Sequence, residues 1–335
     1  MNSAMGYVRL AETVHGPIPR PVSFPYIWGD ALEEFSRIGP DVRIINLETA
    51  ITRSDDYWED KGINYRMSPE NVPCLIAAGI DCCSLANNHV LDWGYDGLQD
   101  TLSTLRHVGI QCAGAGRTCI EAEQPAILDV AGKGRVLVFS FGSETSGIPR
   151  SWKATESRGG VQLLPDLSEA TIAHISERVR AVKKNGDVIV ASIHWGGNWG
   201  YDIPERHKDF AHMLIDKAQV DIVHGHSSHH VMGIEIYHHK LILYGCGDFI
   251  SDYEGIRGYE RYRSDLGLMY FARVDPSKGL VNYLHMTPTQ VRNFRIRRAG
   301  HADVVWLQEV LNREGKQFGT NVYQDTDGTL VLQLQ

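Results

Sequence analysis

Residues 187–197 read Asp-Val-Ile-Val-Ala-Ser-Ile-His-Trp-Gly-Gly. From Asp187 to Ile193 the run is largely apolar and does not alternate, which suits a strand covered on both faces, as parallel strands are. Helical patterns flank it. Ser168 to Val182 places Ile172, Ile175, Val179 and Val182 on one side, and Pro204 to Ala218 leads into a further strand, Val220 to Val223. Further out, a strand is expected over Arg135 to Phe141. Toward the N-terminus, Asp30 with Glu33 reads as a capping box for a helix from Ala31 to Ile38, followed by a strand from Val42 to Leu47. A helix from Ser68-Pro69 to about Ala78 stops at Gly79, a strand covers Asp81 to Leu85, and Leu98, Leu102, Leu105 and Val108 mark one face of a helix ended by Gly109. Strands alternating with helices make an α/β fold.

Beyond Val223 the pattern changes. Gly233 to Ile236, Leu241 to Tyr244 and Leu266 to Val274 read as antiparallel segments. A turn at Pro276 to Gly279, a strand pair, a helix over Ala302 to Arg313 and a hairpin through Asp327-Gly328 follow. Residues 1–29, with four prolines between Pro17 and Pro25, show no strong strand or helix signal. No linker or repeat breaks the chain, so one domain over 1–335 with a motif core at 42–250 is expected.

The chain has 335 residues, 43% of them hydrophobic, which is ample for a packed core. Its net charge of −8 argues against nucleic acid as the main partner and favours a small or locally compensated anionic ligand. No stretch is apolar for the roughly 20 residues of a membrane helix, and no signal-peptide pattern opens the sequence as written, so a cytoplasmic location is expected. Six dispersed cysteines without Cys-x-x-Cys spacing point to reduced thiols, neither disulfides nor a thiolate zinc site. Nine of the 15 histidines fall between His194 and His239, where an even spread would put about two.

In open α/β sheets functional groups collect past the carboxyl ends of strands. Four such ends carry Asn46-Leu47-Glu48-Thr49, Ala86-Asn87-Asn88-His89-Val90-Leu91-Asp92, His194-Trp195-Gly196-Gly197 and His224-Gly225-His226-Ser227-Ser228-His229. Glu, Asn and His together are an oxygen and nitrogen donor set suited to Mn²⁺, Fe, Zn²⁺ or Mg²⁺, and a dinuclear centre is the natural inference. Glu48 would bridge two ions and His89, outside the ligand set, could protonate a leaving group. Taken singly each element is ordinary: Asn88-His89 is a common capping turn, His207 and His212 are core or solvated helix residues, and His238-His239-Lys240 is a polar hairpin turn. The conjunction of four strand ends carries the inference.

These ends, with Thr101-Leu102, Gly114-Ala115-Gly116, Leu214-Ile215-Asp216 and Tyr244-Gly245-Cys246-Gly247-Asp248-Phe249, resemble the bacterial capsule-synthesis CapA family. Its members are poly-γ-glutamate biosynthesis proteins related to calcineurin-like metallophosphoesterases. The resemblance spans roughly Ile44 to Ile250. It implies a four-layer α/β/β/α sandwich and a metal-dependent hydrolase of phosphoesterase type. By motif position Glu48 is the bridging acid, Asn88, His194 and His226 hold one metal, His229 holds the other, His89 is the general acid, and Asp92 orients it. The family's first motif, a strand ending in Gly-Asp, has no counterpart before Asn46, and Gly29-Asp30 reads as a helix cap. Either the start lies upstream of Met1, or one metal position is lost and a single ion remains. Asp248 stands where the family usually has Asn, and Ser227-Ser228 replaces His-Pro.

For substrate, Tyr253 to Ser264 carries Arg257, Arg261 and Arg263 directly after the Asp248 motif and could bind carboxylate or phosphate; Arg66 is a second candidate. The reading that competes with substrate binding is an exposed loop in which Glu254 and Glu260 balance the arginines. Three functions therefore compete: a phosphoesterase-type hydrolase, a protein that binds or cuts an acidic capsule polymer, and a non-catalytic member with a single metal.

Overall fold

The computed structural model describes residues 4–59, 61–254 and 257–334. Three parallel strands, Ile44–Asn46, Cys82–Ser84 and Gln111–Ala113, form one sheet in that order. A second sheet has six strands: Val188–His194 at its centre, Gly134–Gly142 and Ile222–His226 parallel to it on either side, Lys240–Leu243 beyond Ile222–His226, and Ile234–Tyr237 and Ala126–Val130 antiparallel at the two edges. Val188–His194 is buried along its whole length, as its largely apolar, non-alternating run demands.

The two sheets pack face to face. Between them lie Cys82 and Ala113 from the first and Ala126, Leu128, Val138 and Val190 from the second. Outside the first sheet, Leu75 and the Gly94–His107 helix residues Leu98, Leu102 and Leu105 pack with Cys83 and Leu85. Outside the second, Ile172, Ile175 and Val179 of helix Glu169–Val182 and Phe210 and Leu214 of helix Glu205–Ala218 cover Phe139, Ile189, Ala191 and Val223. The α/β class and the four-layer order thus follow from the packing itself.

The C-terminal segments make a third sheet, antiparallel in the order Leu266–Asp275, Leu280–Val291, Leu330–Gln333, Asn321–Gln324. The long helix His301–Gly315 packs Val304, Leu307, Val310 and Leu311 against it and against Ile234, Leu241 and Leu243 of the second sheet. Among the described residues, strand Ile44–Asn46 pairs on one side only, as does Leu266–Asp275. Both line an open cavity of about 1510 Å³ that also reaches Glu48, His226, His229 and Asp248. No helix of the described residues is long and apolar enough to cross a membrane.

Several local expectations are corrected. Residues 1–29 are not irregular throughout: Ala4–His15 is an α-helix and Phe24–Trp28 a 3₁₀ turn, with Trp28 buried and its indole N–H donating to the Cys74 carbonyl. Asp30 precedes helix Ala31–Ile38 but caps nothing; its carboxylate accepts from the Arg298 backbone N–H at 3.0 Å, a tertiary bond displacing the local one. The segment after Ser68 is a 3₁₀ turn, Pro69–Asn71, and a short helix, Pro73–Ala77, because Pro73 starts a new first turn. Strand Ala126–Val130, paired to Gly134–Gly142 through a tight turn, has no counterpart in the sequence reading.

Candidate metal centre

Parallel register builds the core of the site. His194 is the register partner of His226, so neighbouring strands bring the two rings together at their carboxyl ends. Their Nδ1 atoms lie 2.8 Å apart, and His194 Nε2 is 3.0 Å from Asn88 Oδ1. An amide oxygen only accepts, which sets the direction of the chain. His194 Nε2–H donates to Asn88, His226 Nδ1–H donates to His194 Nδ1, and Ser192 Oγ donates to His226 Nε2 and accepts from His224 Nδ1–H. All three imidazoles are therefore neutral. Their burial drives this, pushing His194 and His226 well below the ordinary value and His224 to about 4, and positive charge on Lys61 and His229 adds to it at His194.

Glu48 approaches from the first sheet. Its Oε1 is 3.8 Å from His194 Nε2 and 4.0 Å from His89 Nε2, and its Oε2 accepts from the Asn46 amide at 2.9 Å. Buried Asn87 in turn donates to Asn46 Oδ1 and the Leu47 carbonyl, fixing that strand end to the Asn-Asn-His turn. Burial raises the Glu48 carboxyl to about 7, the nearby Asp248 adding to it while His229 opposes. His89 donates through Nδ1–H to Asp92 Oδ2 at 2.6 Å, which leaves Nε2 facing Glu48.

His229 closes the opposite side, with Nδ1 2.9 Å from Asp248 Oδ1. Burial would lower its pKa, but the Asp248 hydrogen bond and charge outweigh that and raise it. Asp248, a candidate for substrate contact, lines the cavity as the hydrogen-bond partner of His229, and its second oxygen is buried without a hydrogen bond. Between the two histidines Ser227 takes φ 112°, a conformation that favours glycine, so this loop holds local strain.

The remaining candidates divide. Arg66 hydrogen-bonds Asp55 and the Ser54 carbonyl and lies over the Trp93 ring at 4.1 Å, while also lining the cavity that reaches Glu48. Arg263 is held by Asp265 and Asp303. Arg257 and Arg261 are exposed, Arg261 stacking on Tyr262 at 4.5 Å; Gly255 and Ile256 of the same loop lie outside the described residues. His207 is buried against Trp195, His212 pairs with Glu235, and His230 accepts from the Gly200 N–H. His238 and His239 form the expected hairpin turn, both at positive φ.

Sequence reasoning missed Lys61, Tyr65 and Tyr253. The Tyr65 and Tyr253 hydroxyls meet at 2.8 Å, the Tyr65 ring lies 4.4 Å from His89, and the Tyr253 ring lies 4.9 Å from His229. Both phenols are buried enough to be pushed above their ordinary pKa. Loop residues follow no periodicity, so the motif-flanking positions of Tyr65 and Tyr253 gave the only signal.

The donor set fits a divalent cation in kind: neutral imidazoles, an amide oxygen, a carboxyl whose proton a cation would displace, and an unpartnered buried Asp248 oxygen. Among the described residues no three His, Cys, Asp or Glu side chains form a closed cage; the nitrogens and oxygens bond one another.

A sequence profile described as bacterial capsule synthesis protein PGA_cap matches residues 3–253. The chain is 46% identical over 331 residues to a probable polyglutamine synthesis accessory protein of Mycobacterium tuberculosis, covering 98% of this chain and 87% of that one. It is 29% identical over 226 residues to the PGA biosynthesis protein CapA of Bacillus subtilis, covering 67% of this chain and 56% of that protein. A solved structure titled as a novel phosphatase from Mycoplasma pneumoniae aligns with a TM-score of 0.49 at 11% identity, over 77% of this chain and 85% of that one. With a profile match over most of its length and a relative this similar along nearly all of it, the chain belongs to the bacterial capsule synthesis protein PGA_cap family.

Proposed function

We propose that the chain is a metal-dependent hydrolase of phosphoesterase type serving capsule or polyglutamate synthesis, with two divalent cations held by Glu48, Asn88, His194, His226 and His229. One observation carries the reading: Glu48, Asn88, His89, His194, His226 and His229 converge from four strand ends on two packed sheets. Bound cations would polarise the ester and lower the pKa of an attacking water. The chain's own residues do the rest. Asp92 accepts a hydrogen bond from His89 Nδ1–H and so orients the ring, which leaves Nε2 free to take up a proton and, from the imidazolium so formed, to hand it to the departing oxygen. Tyr65 and Tyr253 wall the cleft and restrict water around it.

Metal analysis and turnover of aryl phosphate mono- and diesters with Mn²⁺ test this. His194→Ala and His226→Ala should lose both bound metal and activity, and a metal-loaded protein that hydrolyses neither ester class would overturn the reading.

A second reading, binding of an acidic glutamate polymer, is favoured by the exposure of Arg257 and Arg261 on the loop that follows Asp248 and by the names of the relatives. A double change to Ala at both positions should weaken retention on immobilised poly-γ-glutamate; unchanged retention removes the loop from that role.

A further inference from the structure

Asp92 is fully buried and its carboxylate is held on both oxygens. Oδ2 accepts from His89 Nδ1–H and from the Tyr65 backbone N–H, each at 2.6 Å, and Oδ1 accepts from the Lys61 ammonium. Lys61 also donates to the Asn88 carbonyl and stands 5.1 Å over the face of Trp152. An ammonium has three N–H groups. Two are used on opposite ends of the Asn88–Asp92 turn and an aromatic face lies beside the third, so the ammonium is committed to this turn. Lys61 cannot donate to His89 Nδ1, 3.0 Å away, since that nitrogen already carries the proton hydrogen-bonded to Asp92.

The same turn also receives Trp58 and Tyr65, on either side of Lys61 in the sequence. The Trp58 N–H donates to the Asp92 carbonyl at 2.8 Å, and the Tyr65 carbonyl accepts from the Trp93 indole at 2.9 Å. A buried carboxylate without a cation is costly, whereas one tied to an ammonium and two N–H groups is fixed in place.

We propose that Lys61 is a positioning residue for His89: it ties the 52–65 loop to the Asn88–Asp92 turn and so keeps the imidazole Nε2 aimed at the cleft. The effect on turnover rests on the hydrolase reading; the effect on the ring does not. In a hydrolysis step the ester P–O bond breaks, water supplies the new P–O bond, and His89, protonated on Nε2 as well as on Nδ1, gives its Nε2 proton to the leaving oxygen while the attacking water gives up the proton that restores the ring. 4-Nitrophenolate leaves without that proton and an alkoxide does not.

Two measurements on full-length Lys61→Met and Lys61→Arg test the proposal. In metal-free protein, the hydrogen-bonded His89 Nδ1 proton should give a downfield NMR signal that K61M loses and K61R restores; a signal unchanged in K61M overturns the proposal. With Mn²⁺, kcat of K61M on glycerol phosphate should fall about ten- to hundredfold, with KM little moved and a much smaller loss on 4-nitrophenyl phosphate. Equal losses on both esters would overturn it. If the wild type hydrolyses neither ester, the hydrolase reading fails and the NMR comparison alone decides Lys61. Should K61M not fold, Lys61→Gln, which keeps a donor without the charge, carries the same measurements.

Discussion

Burial holds the Glu48 carboxyl partly protonated up to about 7, whereas a metal needs it ionised. Mn²⁺ affinity of the wild type, followed by calorimetry, should therefore rise as pH climbs through about 7, and Glu48→Gln should bind more weakly with a flatter pH dependence. In chelator the sign for stability is the reverse. The folded protein holds this proton between the ordinary value of 4.5 and about 7 while the unfolded chain does not, so stability falls as pH rises across that window. Urea midpoints of the metal-free protein should show that fall, and Glu48→Gln should reduce it. Asp92→Asn presents an amide where His89 needs an acceptor of fixed orientation. It should lower kcat on alkyl phosphates by about a hundredfold or more, with less effect on KM.

Among the elements, strand Ile222–His226 shows why a glycine sits between two histidines. A Cβ on Gly225 would come within 2.5 Å of the Leu243 and Tyr244 carbonyl oxygens of the neighbouring chain segment. Gly225→Ala should thus destabilise by about 1–3 kcal/mol in denaturant melts and displace His226 with it. The hairpin turn has the opposite prospect. His238 and His239 sit at φ 49° and 61°, the signature of a type I′ turn that Asn-Gly satisfies best. Replacing the pair with Asn-Gly should stabilise by about 0.5–1 kcal/mol, read the same way, with no change at the metal centre. The central strands and amphipathic helices were legible in the sequence because their apolar periodicity records burial directly. Asp30 was misread because Arg298, 268 residues away, supplies a tertiary donor that outcompetes the local cap. Lys61 was invisible for a related reason: its partners, Asn88 and Asp92, lie about 30 residues away and no spacing rule joins a loop to a turn.

For the whole molecule, the motif ends made the site legible before the packing was known, since parallel register alone places His194 beside His226. Less legible was the third sheet, whose strands were foreseen one by one while their union with helix His301–Gly315 depends on side-chain packing between distant segments. That sheet also sets how the protein behaves as a solute. Among the described residues, strand Leu266–Asp275 and strand Ile44–Asn46 each leave one edge of backbone N–H and C=O groups without a strand partner along the same open cavity, whose lining also carries Arg43, Arg135 and Arg273. An unpaired edge is a template on which another chain can add itself. Sedimentation velocity should show association growing with protein concentration, and Ala272→Lys, a charge on the exposed part of the Leu266–Asp275 edge, should suppress it without altering metal content. Storage and assay concentration would then bear on every kinetic comparison, because a chain joined edge to edge would crowd the cleft that opens into the same cavity.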